Sequence, residues 1–334
     1  MRFSLPRVLV LLVGVLFAAT ARAQEPGYAL IVGFNGSPAG AGGSAPPPLR
    51  FADDDAMAFF ELKRELGDRA VVLAAPDVDT RRRYPQTADL AQTPTLDAVD
   101  QAMAGFEEQM RADVRNGRSP SFLFFYSGHG VLGADGQAAL TLSDGMLTQR
   151  LLYERVLDRV PAGVITHLIV DACHAEALAR PRDGNAEVVT LSPDDIAAYV
   201  SQSLPARYHH VGVAVASSRD GNAHEWDLYQ SGVFTHEVIS AMRGAADING
   251  DQRVEYSELG AFLAAANREV QDPRARLQAI IRAPVSAPRS PLADLSRARG
   301  ISRLTRIPAS PESFSIEDMS ASTAATTTPR WAPR

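Results

Sequence analysis

Residues 121–130 read SFLFFYSGHG, an apolar run that changes abruptly into a polar and glycine-rich ending. Residues 167–175 read HLIVDACHA and show the same pattern, a second apolar run that ends in polar residues. Runs of this kind are typical of strands that are buried on both faces of a parallel sheet. The polar residues after each run therefore mark the carboxyl ends of two central strands.

The same alternation of strands and helices extends along the chain in both directions. Strands are predicted at residues 28–34, 69–75, 121–126, 167–171 and 211–216. Helices are predicted at residues 49–66, 151–160, 233–243 and 256–270, and after the N-cap Thr95, from their apolar spacing. Strands separated by helices imply right-handed crossovers. The fold class is therefore α/β, a three-layer αβα sandwich around a mainly parallel sheet.

Two residues at the predicted rim of this sheet suit nucleophilic catalysis, His129 and Cys173. A thiolate is the nucleophilic form of cysteine, and a nearby imidazole can manage its proton. The backbone N–H groups of Gly130 and Cys173 are candidate donors to a developing oxyanion. His167 and His174 are interpreted as packing or surface histidines. The alternative for Cys173 is a small buried apolar side chain, as most free cysteines are.

The YSGHG and DACHA motifs resemble those of the caspase and metacaspase superfamily, in which the histidine precedes the cysteine by about 50 residues. The resemblance continues through YALIVGFN, LRFADDDAMAFF and GVFTHEVISAMRG, and spans roughly residues 28–270. It implies a caspase-like fold and a bacterial cysteine endopeptidase that acts through an acyl-thioester. One departure is Glu176, three residues after Cys173, where metacaspases often have glycine.

The resemblance to metacaspases also implies a specificity for basic residues. Asp55, Ser127 and Asp171 match the positions that line an acidic primary pocket in that family. Carboxylates in a partly buried pocket pair with a guanidinium or ammonium group and repel an acidic side chain. Cleavage is therefore expected after Arg or Lys. The alternative for the run Asp53 to Asp55 is an acidic cluster that complements the dipole at the start of a helix.

A second candidate site has the spacing of a calcium-binding loop within residues 247–258. Asp247, Asn249, Asp251 and Glu258 occupy the first, third, fifth and twelfth positions of that pattern. Gln252 replaces the glycine expected at the sixth position, so a plain acidic turn before the next helix is the alternative. Calcium is thus a possible ligand, and no cofactor is expected to be required.

The ends of the chain differ in composition from its body. Residues 1–23 have the basic start, apolar run and small-residue ending of a secretory signal peptide, which predicts a periplasmic or secreted protein without a stable membrane anchor. The peptidase domain is expected at residues 24–283, and residues 284–334, rich in Pro, Ser, Thr and Arg, are predicted to be disordered. A single cysteine excludes an intramolecular disulfide.

Three functions remain open at the sequence level. The net charge of −6 argues against nucleic acid as a partner and favours basic protein or peptide substrates. The main hypothesis is an active endopeptidase. The alternatives are a catalytically silent module that binds basic peptides or a protein partner, and an acyl-transfer enzyme that joins peptides.

Overall fold

Six strands form the central sheet of the computed structural model, which describes residues 25–36, 47–132, 138–172, 206–217, 225–227, 229–268 and 277–298. In sheet order these strands are β12 (Gln278–Arg282), β8 (Val211–Ser217), β7 (Ile165–Asp171), β3 (Ser121–Gly128), β1 (Gly27–Phe34) and β2 (Arg69–Ala74). All neighbours run parallel except β12, which pairs antiparallel with β8 at one edge.

The strand register places the ends of β3 and β7 side by side. Ser127 of β3 is paired with Asp171 of β7, and with Gly33 of β1 on its other side. His129 follows Ser127 by two residues, and Cys173 follows Asp171 by two residues. Both motifs therefore leave neighbouring strands at the same edge of the sheet, as the sequence predicts.

Helices cover both faces of the sheet. One face carries α1 (Ala52–Glu65), α5 (Val233–Ser240) and α6 (Tyr256–Ala266), and the other carries α3 (Leu96–Arg115) and α4 (Gln149–Arg155). The short helix α2 (Val78–Arg83) follows β2. Each face buries its own apolar cluster, because alternate residues of every central strand point to opposite faces. The α/β sandwich predicted from the sequence is confirmed.

Shorter strands build the surroundings of the sheet's carboxyl edge. β4 (Gly130–Leu132), β5 (Ala138–Thr141) and β6 (Met146–Thr148) form an antiparallel sheet directly after His129. β9 (Glu225–Trp226) and β10 (Ser231–Gly232) form a hairpin, and β11 (Arg253–Val254) pairs with β13 (Ala293–Asp294). These strands are two to four residues long, too short for a periodic apolar pattern, and the sequence does not predict them.

The prediction of a disordered tail from residue 284 is wrong for residues 284–298. Leu292 is 2% exposed, and its backbone N–H donates to the Val254 carbonyl at 2.8 Å. Leu295 N–H donates to the Gln252 carbonyl at 2.7 Å, and Arg297 binds the carboxylate of Asp68 at 2.8 Å. The prediction failed because the many Pro and Ser residues of this segment are typical of disorder, and the pairing of β13 with β11 involves only two residues of each strand. Residues 299–334 lie outside the described part.

The helix predicted at residues 233–243 is shorter in the structure. It ends at Ser240 and continues as a π-helical turn, Ala241–Ala245. Gly244, within this turn, adopts a φ of 108°, which only glycine reaches without strain, so helical backbone angles stop before this residue. None of the helices in the described segments is long and apolar enough to cross a membrane. The predicted signal peptide lies outside the described residues.

Candidate active site

The backbone of His129 is fixed between the central sheet and the small antiparallel sheet. Its carbonyl accepts hydrogen bonds from the Tyr126 hydroxyl and from the Thr141 N–H, each at 3.0 Å. Gly128 approaches its neighbours closely, because a Cβ at this position would come within 2.5 Å of the Tyr126 hydroxyl. The first glycine of YSGHG is therefore required, because any side chain at Gly128 would collide with Tyr126.

The imidazole of His129 has a defined orientation. The side chain is buried, with 6% exposure, and its Nε2 lies 3.0 Å from the Pro47 carbonyl oxygen. A carbonyl oxygen only accepts hydrogen bonds, so Nε2 carries the proton and Nδ1 keeps its lone pair in the neutral ring. Burial lowers the pKa of His129, and the Pro47 hydrogen bond and the nearby Glu225 carboxylate oppose that shift. The neutral imidazole is thus equipped to accept a proton at Nδ1.

Asp55 and Ser127, predicted to share a pocket, are in contact. The Ser127 hydroxyl donates to Asp55 Oδ2 at 2.8 Å. The Ser231 hydroxyl donates to Asp55 Oδ1 at 2.5 Å, and the Gly232 N–H donates to the same carboxylate at 3.1 Å. Burial raises the pKa of Asp55 well above its usual range, and the neighbouring Asp171 raises it further.

Asp171, the third predicted pocket residue, joins the same cluster at the end of β7. Its Oδ2 accepts hydrogen bonds from the Thr235 N–H at 3.1 Å and from the Thr235 hydroxyl at 2.7 Å, at the start of α5. A Cβ at Gly232 would overlap Asp171 Oδ2 and come within 3.0 Å of Asp55 Oδ2. The two carboxylates therefore meet around a glycine, and only a residue without a side chain fits between them.

The other two aspartates of the run Asp53 to Asp55 have separate partners. Asp53 accepts hydrogen bonds from the Asn35 amide at 2.7 Å and the Thr80 hydroxyl at 2.9 Å. Asp54 forms an ion pair with Arg83 at 2.7 Å, and burial, reinforced by Asp53, raises its pKa to about 7. All three carboxylates of the run are buried and bind other elements of the fold. They also lie in the first turn of α1, so the alternative of an acidic cluster that complements the helix dipole stays open beside these contacts.

The remaining predicted catalytic positions differ in what the structure describes. Gly130 begins β4 directly after His129 and is paired with Leu140. Cys173 and His174 lie outside the described residues, because the described segment that contains β7 ends at Ala172, which is 4% exposed. His167 is buried, and its Nδ1 lies 2.9 Å from the Tyr256 hydroxyl. His167 is therefore a packing residue between β7 and α6, as the sequence analysis expects.

Sequence reasoning missed several residues that complete the site, namely Pro47, Glu225, Ser231, Gly232 and Thr235. Pro47 acts through its carbonyl, which no side-chain pattern reveals. The others belong to the β9–β10 hairpin and the start of α5. The Ser-Gly pair directly before an apolar helix was a usable signal, since serine and glycine are frequent where helices begin.

The loop of residues 247–258 has the hydrogen bonds of a compact acidic turn. Gln252 N–H donates to Asp247 Oδ2 at 3.1 Å, and Gln252 has a φ of 65° where the pattern expects glycine. Asp247 Oδ1 and Glu258 Oε1 are buried and have no hydrogen-bond donor. Among the described residues, however, no three His, Cys, Asp or Glu side chains converge as a metal site. Calcium binding here stays a prediction.

Comparison with known proteins finds solved structures of low sequence identity and one matching protein family. The structure of pro-sf-caspase-1 is 16% identical, with 84% of this chain and 93% of that chain covered and a TM-score of 0.42. Caspase-1 from Spodoptera frugiperda is 14% identical, with 77% and 84% covered and a TM-score of 0.40. No curated protein matches the sequence. The family model of the peptidase C14 caspase domain matches residues 26–289. The chain therefore belongs to the peptidase C14 caspase domain family.

Proposed function

We propose that the protein is an exported cysteine endopeptidase with a His129–Cys173 dyad, which cleaves peptide bonds after Arg or Lys. Membership of the peptidase C14 family supports a cysteine peptidase in general. The proposal for basic residues depends on one observation, the buried carboxylate of Asp55 beside Asp171. In the described residues its hydrogen-bond donors are two hydroxyls and one backbone N–H, and none of them is a cation.

The proposed reaction begins with a proton transfer from Cys173 to His129 Nδ1. The thiolate sulfur then attacks the carbonyl carbon of the peptide bond, and the N–H groups of Gly130 and Cys173 bind the oxyanion. The C–N bond breaks as the imidazolium donates its proton to the leaving amine, which gives an acyl-thioester. Water then attacks the thioester carbonyl carbon and gives a proton to His129. The C–S bond breaks, the sulfur leaves with its electron pair, and His129 returns the proton to the sulfur. The neighbouring ends of β3 and β7 support this pairing.

The acidic pair accounts for the proposed preference at the residue before the cleaved bond. A guanidinium or ammonium group beside Asp55 and Asp171 would stabilise the ionised form of Asp55, which burial otherwise disfavours. An acidic substrate side chain would add a third negative charge to the same space. Arg and Lys are therefore favoured over Asp, and protein or peptide substrates carrying them are the proposed partners.

Fluorogenic peptides that end in Arg, Lys or Asp test this function directly. We expect turnover of the Arg and Lys peptides by the wild type and none by Cys173→Ala. Preference for the Asp peptide would contradict the specificity. Binding of basic peptides without turnover would indicate the silent binding module, and an amide product formed with an added amine would indicate acyl transfer. Amino-terminal sequencing of the exported protein, expected to begin near Gln24, tests the location.

A further inference from the structure

The segment between β1 and α1 carries the carbonyl that orients His129. Pro47 contributes this carbonyl, at 3.0 Å from His129 Nε2. The segment is tied to the end of β1, because Leu49 N–H donates to the Asn35 carbonyl at 2.8 Å and Ala52 N–H donates to the Asn35 side chain at 2.7 Å. The orientation of the imidazole therefore depends on how firmly residues 47–52 are held.

Glu225 holds the same segment from the opposite side. Its Oε1 accepts the Arg50 N–H at 2.9 Å and the Phe51 N–H at 2.8 Å, and its Oε2 lies 3.1 Å from the same Arg50 nitrogen. These contacts link residues that lie 174 and 175 positions apart in the chain. Because Phe51 is the N-cap of α1 and has no side-chain cap of its own, Glu225 supplies acceptors at this helix start.

Glu225 also connects His129 to the acidic pocket. It lies in β9, which pairs with β10, and the Ser231 and Gly232 of β10 bind Asp55. One hairpin therefore supports the imidazole through Pro47 and the pocket through Asp55. Glu225 is, in addition, the charged group whose field raises the pKa of His129 against the effect of burial.

We propose that Glu225 is a positioning residue that orients His129 through the Pro47 segment. The inference depends on the proposed function, because it assigns His129 to proton transfer. Its neighbour Asp227 provides a matched control. Asp227 pairs with the Arg50 side chain at the surface, and it binds no backbone N–H of the described residues 47–52.

The test compares Glu225→Gln, Glu225→Ala and Asp227→Asn. Glu225→Gln keeps an oxygen acceptor and removes the charge, whereas Glu225→Ala removes both. Nitrogen–proton correlation spectra, with the His129 signals identified through His129→Gln, report the imidazole tautomer and its pKa in each variant. These spectra do not depend on substrate, so they separate a failure of this inference from a failure of the proposed peptidase function.

We expect Glu225→Gln to lower the pKa of His129 and to keep the Nε2–H tautomer. Glu225→Ala should also mix the tautomers and, with an Arg peptide, reduce kcat by roughly tenfold to a hundredfold, because small misplacements of a catalytic group are costly. Asp227→Asn should match the wild type. An unchanged His129 pKa and tautomer in folded Glu225→Ala would overturn the inference. Equal effects in Asp227→Asn would overturn it too.

Discussion

The hydroxyl of Ser127 donates a hydrogen bond of 2.8 Å to Oδ2 of Asp55, a residue 72 positions earlier in the chain. Ser127 lies in β3 directly before the Gly128-His129 turn, whereas Asp55 lies in the first turns of α1. The contact therefore joins the strand that positions His129 to the helix that carries the buried carboxylate. Changes at either residue are expected to affect catalysis and specificity together.

Loss of the proposed base should strongly reduce turnover without unfolding the protein. We expect His129→Ala to lower kcat for an Arg peptide by about 10²- to 10⁴-fold, the usual contribution of general acid–base catalysis. Thermal unfolding monitored by circular dichroism checks that the fold is kept. Wild-type rates in this variant would rule out His129 as the proton carrier.

Removal of the ionisable carboxyl group at Asp55 should weaken recognition of basic substrates. Asp55→Asn keeps one of the two oxygens that accept from Ser127 and Ser231 and replaces the other with an NH2 group. We expect a rise in KM of at least about tenfold for Arg and Lys peptides, since a charge-assisted hydrogen bond contributes roughly 1.5–3 kcal/mol. Steady-state kinetics measure this effect. The matched control is Asp54→Asn, which alters the neighbouring carboxylate that pairs with Arg83. Equal KM changes in both variants would contradict the assignment of Asp55.

Binding of a basic substrate should depend on pH through the same pair. The pKa of Asp55 is raised by burial and by Asp171, so the free pocket retains a proton at pH values where an exposed aspartate has lost it. A cationic side chain favours the ionised form, and binding is expected to release this proton. KM for an Arg peptide should therefore fall as pH rises. Calorimetry with a peptide inhibitor, in buffers of different ionisation enthalpy, counts the released proton.

The buried His167 should make stability depend on pH. Burial, helped by the nearby Lys63, lowers its pKa to about 3, against 6.5 in the unfolded chain. The unfolded state thus binds more protons between these values, so the free energy of unfolding should rise by a few kcal/mol as pH increases from about 3 to 6.5. Urea unfolding at several pH values measures this slope. The slope should flatten in His167→Phe, and an equal slope in that variant would contradict the prediction.

Calcium binding is testable through Asp247 Oδ1 and Glu258 Oε1, the two buried carboxylate oxygens of this loop without a hydrogen-bond donor. If residues 247–258 bind calcium, titration calorimetry should detect one site in the wild type and a loss of affinity of at least about tenfold in Asp247→Asn. The matched control is Asp294→Asn, which alters a carboxylate on the paired strand β13. Absence of binding heat in the wild type would leave this loop as an acidic turn that begins α6.

The sequence predicts the central sheet because its strands are long and strongly apolar. It predicts the neighbouring positions of Ser127 and Asp171 because both lie at the carboxyl ends of such strands, and it selects Asp55 from three adjacent aspartates through family resemblance. It does not predict the role of Pro47, which acts through a backbone atom. Glu225 and Gly232 are missed because strands of two residues carry no period and their contacts join distant parts of the chain.

Residues 284–298 are expected to be needed in any shortened version of this protein. The side chain of Asp68, 3% exposed, forms ion pairs with Lys63 of α1 and with Arg297, which lies far along the chain. A version trimmed at residue 283 would keep the whole central sheet and both motifs. It would nevertheless lose one of the two cations of that inner carboxylate and uncover β11, so the smallest fragment worth expressing ends beyond Ala298.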